Sequence, residues 1–212
     1  MVTVDISLSL DGFVAGPNQT VEQPLGEGGE QLHQWIFGLA SWRERHGEPG
    51  GERNADDEVL RESVDATGAV VMGRHMFSGG SGPWEDDPTA DGWWGDDPPF
   101  GVPVFILTHH ARETVTKRNG TSYTFVTDGP QAAVALARKA AGDRNVAVAG
   151  GANVVVQCLD AGLVDEMQLH VVPLLLGDGV RLFGGLETQR ALDTIRVAHS
   201  PTVIHLKYRV AK

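Results

Sequence analysis

Three short turns, two of them with glycine, hold most of the residues in this sequence that could bind or transform a ligand. In VAVAGGANVVVQCL (146–159), Gly150 and Gly151 separate an apolar run from a helical pattern. Glycine lets the backbone approach a ligand closely, and the free N–H groups at the start of a helix favour phosphate. A Gly-Gly pair is equally typical of a tight strand–helix turn, so this segment alone leaves both interpretations open.

Two further turns follow the same pattern. AVVMGRHMF (69–77) and VFILTHH (104–110) are apolar runs that end in polar residues. Because ligands of α/β sheets bind at the carboxyl ends of the strands, we expect the three turns to form one site. The basic residues in or next to these turns are Arg74, His75, His109, His110 and Arg112. Their concentration predicts a phosphorylated anionic ligand, although each histidine alone is equally explained as a surface or capping residue.

Several kinds of site are excluded by their motifs. No G-x-G-x-x-G follows an apolar run and no Gly-Lys-Ser/Thr occurs, so neither a Rossmann fingerprint nor a Walker loop is present. Cys158 is the only cysteine, and the pair His109-His110 has no third ligand at a fixed spacing. The sequence therefore predicts neither a disulfide framework nor a metal site.

Composition and charge narrow the class of protein further. The 212 residues include 28 acidic and 17 basic side chains, which give a net charge of −11. Binding to nucleic acid is disfavoured, because neutralising phosphates needs a basic face. No apolar run approaches the roughly 20 residues of a membrane span, and the N-terminus lacks the basic start of a signal peptide. We expect a soluble, cytoplasmic protein that acts on a small molecule.

Strands and helices that alternate along the chain should position the three turns. The predicted strands cover 2–10, 69–72, 104–107, 123–126, 146–149, 164–173, 195–197 and 203–210. The predicted helices cover 31–42, 57–66 (with Asp56 as its cap), 130–141 and 153–161. This order is typical of a mostly parallel sheet with helices on both faces, and the last two strands are expected to form an antiparallel edge hairpin.

Three motifs give the chain a family resemblance: SLDGFVAG (9–16), VVMGRHMF (70–77) and the long segment 149–183. On these motifs it resembles the dihydrofolate reductase-like superfamily, in particular the branch with the reductase domain of bacterial riboflavin biosynthesis, the RibD C-terminal domain. The resemblance implies an α/β fold of three layers (α/β/α), with a mostly parallel central sheet and an antiparallel C-terminal edge. It also implies a single domain over 1–212, with variable insertions at about 17–55 and 79–102.

NADPH is the cofactor that the resemblance implies. The GRH turn and the strand end at 107–109 would hold its phosphates, 149–154 would cradle the pyrophosphate and approach the nicotinamide, and 11–15 would close over the nicotinamide. The residues implied to contact NADPH are Asp11, Val14, Ala15, Gly73, Arg74, His75, Met76, Leu107, Thr108, His109, Ala149, Gly150, Gly151, Ala152, Asn153 and Val154.

Two residues are implied as catalytic groups on the substrate side. Asp57 matches the carboxylate that supports protonation of the pterin in the folate enzymes, and a raised pKa would suit that role. His170 matches a polar position that faces the site. The alternatives are that Asp57 is an ordinary acid in the first turn of a helix and that His170 is a hydrogen-bonded core residue.

The resemblance implies an NADPH-dependent reductase of a small heteroaromatic substrate related to a pterin, a pyrimidinone or a flavin. A first alternative is a module that binds NADPH or a flavin-like ligand without turnover. A second, a flavodoxin-like FMN protein, is disfavoured because Asp11-Gly12-Phe13 follows the first strand instead of a Ser/Thr-rich loop. Homodimers are common in the family, so a homodimer is also expected.

Overall fold

A nine-stranded sheet forms the centre of the computed structural model, which describes residues 1–80, 82–87 and 90–211. The strands are β1 (Val2–Ser9), β2 (Phe13–Ala15), β3 (Thr67–Gly73), β4 (Pro103–Leu107), β5 (Val115–Thr116), β6 (Ser122–Val126), β7 (Asn145–Gly150), β8 (Glu166–Val172), β9 (Val180–Arg181), β10 (Leu192–His199) and β11 (Ile204–Val210). Their order across the sheet is β10-β11-β8-β1-β7-β3-β4-β6-β5, while β2 and β9 form a separate ribbon.

The helices lie on both faces of this sheet. They are α1 (Gln34–Phe37), α2 (Ala40–Arg45), α3 (Ala55–Ala66), α4 (Arg74–Ser78), α5 (Gly129–Ala141) and α6 (Ala152–Asp160), with short 3-10 helices at Gly29–His33 and Trp84–Asp86. Helices α5 and α6 pack their apolar faces on one side of the sheet, against strands that include β1, β3 and β7. Helix α4 and the aromatic residues of 79–102 cover part of the other side.

The predicted fold class is confirmed. The strands from β8 through β6 in the sheet order pair in parallel, and β10, β11 and β5 add antiparallel edges. The alternation in β1 explains its place at the centre, because Val2, Val4 and Leu8 are buried against α6 and its neighbours. The predicted terminal hairpin is present as β10 and β11.

Two predictions about helices were wrong in detail. The continuous helix expected over 31–42 is divided into a 3-10 helix, α1 and α2, and the chain takes an extended conformation at Leu39. The cap of α3 is Asn54 rather than Asp56, since the Asn54 side chain accepts a hydrogen bond from the backbone N–H of Asp57. Asp56 is then free to point into the interior, where it is 3% exposed.

The segment 79–102 packs through its aromatic rings, although Ser81, Pro88 and Thr89 lie outside the described residues. Trp84 meets Phe77 and Phe125 edge to face, and Trp94 packs in the same way on Phe100. These edge-to-face contacts hold part of the segment against β6 and α4. In the described part of the chain, no helix is long and apolar enough to cross a membrane.

Candidate functional site

The two glycine turns and the turn after β4 meet at the carboxyl ends of β3, β4 and β7. Met72 lies opposite Gly150, and Gly73 lies opposite Leu107. A Cβ atom built on Gly73 would approach Cγ2 of Val154 to 2.9 Å, and one built on Gly150 would lie 3.4 Å from Sδ of Met76. The backbone at Gly73 thus lies directly against the first turn of α6, where only a residue without a side chain fits.

The first turn of α6 is open to a ligand on its outer side. Asn153 and Gln157 are exposed there, and they line a cleft of about 900 Å³. The opposite wall is the ribbon of β2 and β9, including Phe13 and Arg181. The volume is within the range of about 300–1,000 Å³ that small-molecule sites occupy. From the predicted cofactor set, Ala152 and Asn153 line this cleft, and the remaining members do not.

The loop that follows β1 is fixed by the carboxylate of Asp11. This carboxylate accepts hydrogen bonds from Oγ of Ser9 at 2.6 Å and from the backbone N–H groups of Leu176 and Gly177 at 3.1 and 2.7 Å. The Ser9 hydroxyl and these backbone donors lower the pKa of Asp11 to about 2. Asp11 therefore joins the loop after β1 to the loop after β8. Val14 and Ala15 are buried in β2.

We expect replacement of Asp11 by asparagine to change how stability depends on pH. Because the pKa of Asp11 is lower in the folded protein than the ~3.9 of an unfolded chain, the unfolded state binds more protons on acidification. The stabilisation is complete above about pH 4 and disappears as the pH falls towards 2. Urea unfolding should show a difference between wild type and Asp11→Asn that shrinks over this range. A difference independent of pH would contradict the assignment.

The positive charges predicted at the strand ends are largely paired. Arg74 is 7% exposed, and its guanidinium donates to Oδ2 of Asp87 at 2.7 Å, to the Gly82 carbonyl and to Oγ of Ser78. The guanidinium also lies 3.3 Å from the centre of the Trp84 ring. This differs from the expected free cation, because the insertion at 79–102 supplies the acidic partner.

The other members of the basic cluster divide into paired and exposed side chains. Arg112 bonds the Ala90 carbonyl and Asp91, both within the same insertion. His75 and His109 are exposed, while Thr108 is buried and accepts a hydrogen bond from the backbone N–H of His110. Exposed basic groups at this edge are therefore histidines rather than arginines.

The expectation of a raised pKa for Asp57 is wrong. Burial favours the protonated form, but the backbone N–H of Ser41 donates to Oδ1 of Asp57 at 2.7 Å and Arg61 lies 3.4 Å from Oδ2. These partners outweigh burial, and the pKa of Asp57 is lowered. The carboxylate holds the start of α2 next to the start of α3.

His170 is a core residue with both ring nitrogens engaged. It is 2% exposed, and its hydrogen bonds run to Asp5 and His205 rather than to Asp57. Asp5 and His205, the partners of His170, and Asp56, the partner of His205, were not predicted from the sequence. The sequence does mark Asp5 and His205, because each is a titratable side chain that interrupts the apolar alternation of its strand, β1 or β11. A single sequence shows that these interruptions exist, but it does not show that they face one another.

The chain matches one known protein family over almost its whole length. The family model of the RibD C-terminal domain matches residues 1–206. The chain belongs to the RibD C-terminal domain family. The predicted resemblance is thereby confirmed, and the nine-stranded sheet with its antiparallel edge is the fold of that family. Among curated proteins, none matches the chain.

Solved structures agree with this RibD-type fold. A protein of Shewanella sp. PV-4 assigned to riboflavin biosynthesis has 22% identity and a TM-score of 0.64, with 100% of both chains covered. The diaminohydroxyphosphoribosylaminopyrimidine deaminase/5-amino-6-(5-phosphoribosylamino)uracil reductase of Thermotoga maritima has 14% identity and a TM-score of 0.58; all of this chain covers 56% of that protein. The riboflavin biosynthesis reductase Rib7 of Saccharomyces cerevisiae has 14% identity and a TM-score of 0.55. The match covers all of this chain and 90% of Rib7.

Proposed function

We propose that this protein is an NADPH-dependent reductase that transfers hydride to a pyrimidinone of the riboflavin-biosynthesis type. Membership of the RibD C-terminal domain family and the names of the two reductases described above support the reaction class. The observation that carries the proposal is the meeting of Gly73, Gly150 and the first turn of α6 at one edge of the sheet. When bound, the cofactor supplies the hydride, and the protein supplies position.

The residues at this edge fit a dinucleotide. A Cβ at Gly73 would collide with Val154, so glycine lets the end of β3 pack directly against the first turn of α6. The N–H groups of Ala152 and Asn153 lie at the start of a nine-residue helix, where the helix dipole favours a pyrophosphate. In this proposal, the exposed His75 and His109 face the phosphate end, and the loop fixed by Asp11 covers the nicotinamide end. Arg74 contributes through the backbone at the start of α4.

Hydride transfer can be tested directly. Purified protein, NADPH and 5-amino-6-(5-phosphoribosylamino)uracil should lose the absorbance of the reduced nicotinamide and form the reduced pyrimidinone. Binding of NADPH is measured separately, by energy transfer from tryptophan to the nicotinamide. If NADPH is neither oxidised nor bound, the proposal is overturned, since a reductase of this kind must bind the cofactor before it reduces its substrate.

Binding without turnover is a second candidate function, and one observation favours it. The two predicted catalytic side chains are bound elsewhere: Asp57 holds Ser41 and Arg61, and His170 holds Asp5 and His205. A protein that binds NADPH tightly but does not oxidise it with pterin, pyrimidinone or quinone substrates would support this alternative.

Replacement of Asn153 by aspartate should separate folding from cofactor binding. A negative charge in the first turn of α6 is favourable to the helix dipole, so we expect unchanged or slightly higher stability, by up to about 0.5 kcal/mol. The same charge would repel a pyrophosphate, and the Kd for NADPH should rise about tenfold or more. Titration by fluorescence and thermal unfolding measure the two effects.

Asn153→Gln is the matched control for this charge, because it keeps a neutral amide at the same exposed position. It should leave the Kd within about twofold of wild type. Equal Kd values for Asn153→Asp and Asn153→Gln would contradict placement of the pyrophosphate at α6.

The proposal also includes the assembly and location of the protein. We propose a cytoplasmic homodimer of one 1–212 domain per chain. The β10–β11 hairpin exposes the apolar side chains of Ile195, Val197 and Ile204, and the loop after β8 exposes Leu175. Apolar surface of this kind supports association of two copies. Light scattering on the purified protein should give twice the chain mass of 22.7 kDa.

A further inference from the structure

A chain of four titratable side chains, three of them buried, crosses the sheet beneath α3. Nε2 of His170 lies 2.8 Å from Oδ1 of Asp5, and Nε2 of His205 lies 3.0 Å from Oδ1 of Asp56. The two rings face each other through their Nδ1 atoms at 2.6 Å. His205 is 1% exposed, so the connection is shielded from water. The four groups come from β1, β8, β11 and α3.

Three hydrogen bonds in a row need three protons. With both carboxyl groups ionised, each carboxylate oxygen accepts, and both Nε2 atoms then donate. Two neutral imidazoles that donate from Nε2 have only a lone pair at Nδ1, and two lone pairs repel each other at 2.6 Å. A third proton between the Nδ1 atoms removes that conflict. The other oxygen of Asp5 accepts from Oγ of Ser63, which is consistent with an ionised carboxylate.

The groups around the histidine pair oppose a second positive charge on it. Burial and the neighbouring His170 lower the pKa of His205, so a second charge on the pair is resisted. Burial and His170 also lower the pKa of His33, which lies on the 3-10 helix above the pair. The pKa of Asp5 is lowered because its contacts with His170 and Ser63 outweigh burial. Asp5 thus places negative charge at one end of the pair, and the carboxyl group of Asp56 lies at the other end.

Trp35 lies over both histidine rings. Its ring centre is 4.7 Å from that of His170 and 5.1 Å from that of His205, and its Nε1–H donates to Oγ of Ser7 at 3.1 Å. The face of an indole attracts a cation within about 6 Å. Trp35 belongs to α1, in the middle of the stretch 29–45 that folds over the ends of β1 and β8.

We propose that Asp5, His170, His205 and Asp56 hold three protons, so that the histidine pair carries one positive charge, and that this charge docks residues 29–45 onto the sheet through Trp35. The same network fixes the start of α3 through Asp56. These are positioning residues: they hold the insertion that, on the proposed function, borders the substrate. The proton count itself does not depend on that function.

The proton count is measured by nitrogen NMR on protein labelled with ¹⁵N-histidine. Protonated and bare ring nitrogens have distinct shifts, and His170 and His205 are assigned with single variants. From about pH 5 to about pH 8, the range in which free histidine changes charge, we expect three of the four ring nitrogens of the pair to be protonated. Two protonated and two bare nitrogens would overturn the proposal. This measurement uses the wild-type protein and requires no turnover.

Docking by the charge is tested with His205→Gln. The glutamine amide can still donate to Asp56, but it removes the Nδ1 atom that shares the proton. Amide hydrogen exchange in residues 29–45 should become about tenfold faster or more, while α5, on the opposite face of the sheet, keeps its protection. His199→Gln, at an exposed position of β10, is the matched control and should change neither region.

The variant also distinguishes this proposal from the proposed function. Unchanged exchange in 29–45, or equal acceleration in 29–45 and α5, would overturn docking by the charge, whether or not NADPH is bound. If the chain reduces a pyrimidinone, His205→Gln should raise the KM of that substrate and leave the Kd of NADPH unchanged, since α6 lies on the other face.

Discussion

Replacement of Arg74 by leucine is expected to lower the free energy of unfolding by about 3–5 kcal/mol. The guanidinium and the carboxylate of Asp87 are 8% and 3% exposed, and they form a 2.7 Å ion pair. Leucine leaves the buried carboxylate without its cation, and it also removes the packing of the guanidinium on Trp84. Urea unfolding followed by tryptophan fluorescence measures the loss.

Arg118→Leu is the control for this ion pair. Arg118 and Asp96 lie within 3.0 Å of each other, but they are 78% and 65% exposed, so water screens them and the loss of stability should be below about 1 kcal/mol.

A second comparison tests whether Arg74 is a phosphate ligand, as the resemblance implies. If the Arg74 side chain acts mainly on stability, Arg74→Leu weakens NADPH and NADH equally once the protein is folded. Selective loss of NADPH would show that the guanidinium leaves Asp87 to bind the 2′-phosphate.

Replacement of Gly179 by alanine is expected to destabilise the protein by about 3 kcal/mol or more. Gly179 has a φ of +132°, and a Cβ added there would lie 2.1 Å from the backbone oxygen of Ala15. The positive φ and the close approach to the Ala15 oxygen both involve the backbone, so rotation of a side chain relieves neither. The expected consequence is separation of β9 from β2, which form one wall of the cleft beside α6.

Gly120→Ala isolates the contribution of backbone conformation. Gly120 has a φ of +87° in the turn between β5 and β6, and its surroundings are open within 4 Å. Alanine should therefore cost only about 1–2 kcal/mol there. Thermal unfolding of both variants provides the comparison. Equal losses at the two positions would indicate that the close approach of Gly179 to Ala15 does not exist in solution.

The fold was predictable because its signals are local. The alternation in residues 2–10 and the apolar runs of β3, β4 and β7 follow from the periodicity of strands, so their positions agree with the structure to within a few residues. The terminal hairpin was predicted on the same basis. The structure of the segment 31–42 was harder to predict, because its apolar spacing fits one helix. The interruption at Leu39 depends on packing against the rest of the chain.

Parts of the candidate site were predictable for a similar reason. Parallel strands bring their carboxyl ends to one edge of a sheet, so the glycine turns after β3 and β7 had to meet once those strands were neighbours. The roles of the individual residues in binding NADPH stay predictions. Residue types alone could not reveal the pairing of Arg74, since its partner Asp87 is thirteen positions away in an irregular segment.

By itself, the sequence determined the α/β class, the main strands of the sheet and the glycine turns, because each depends on neighbours a few residues apart. Only the tertiary structure decided the charge state and the environment of the polar groups. Asp57 has a lowered rather than a raised pKa because Ser41 and Arg61 reach it. His170 acquires its partners from β1 and β11, which lie far from it in the sequence. A pKa and an ion pair are set by distances of a few ångströms in space, and these distances exist only after the chain has folded.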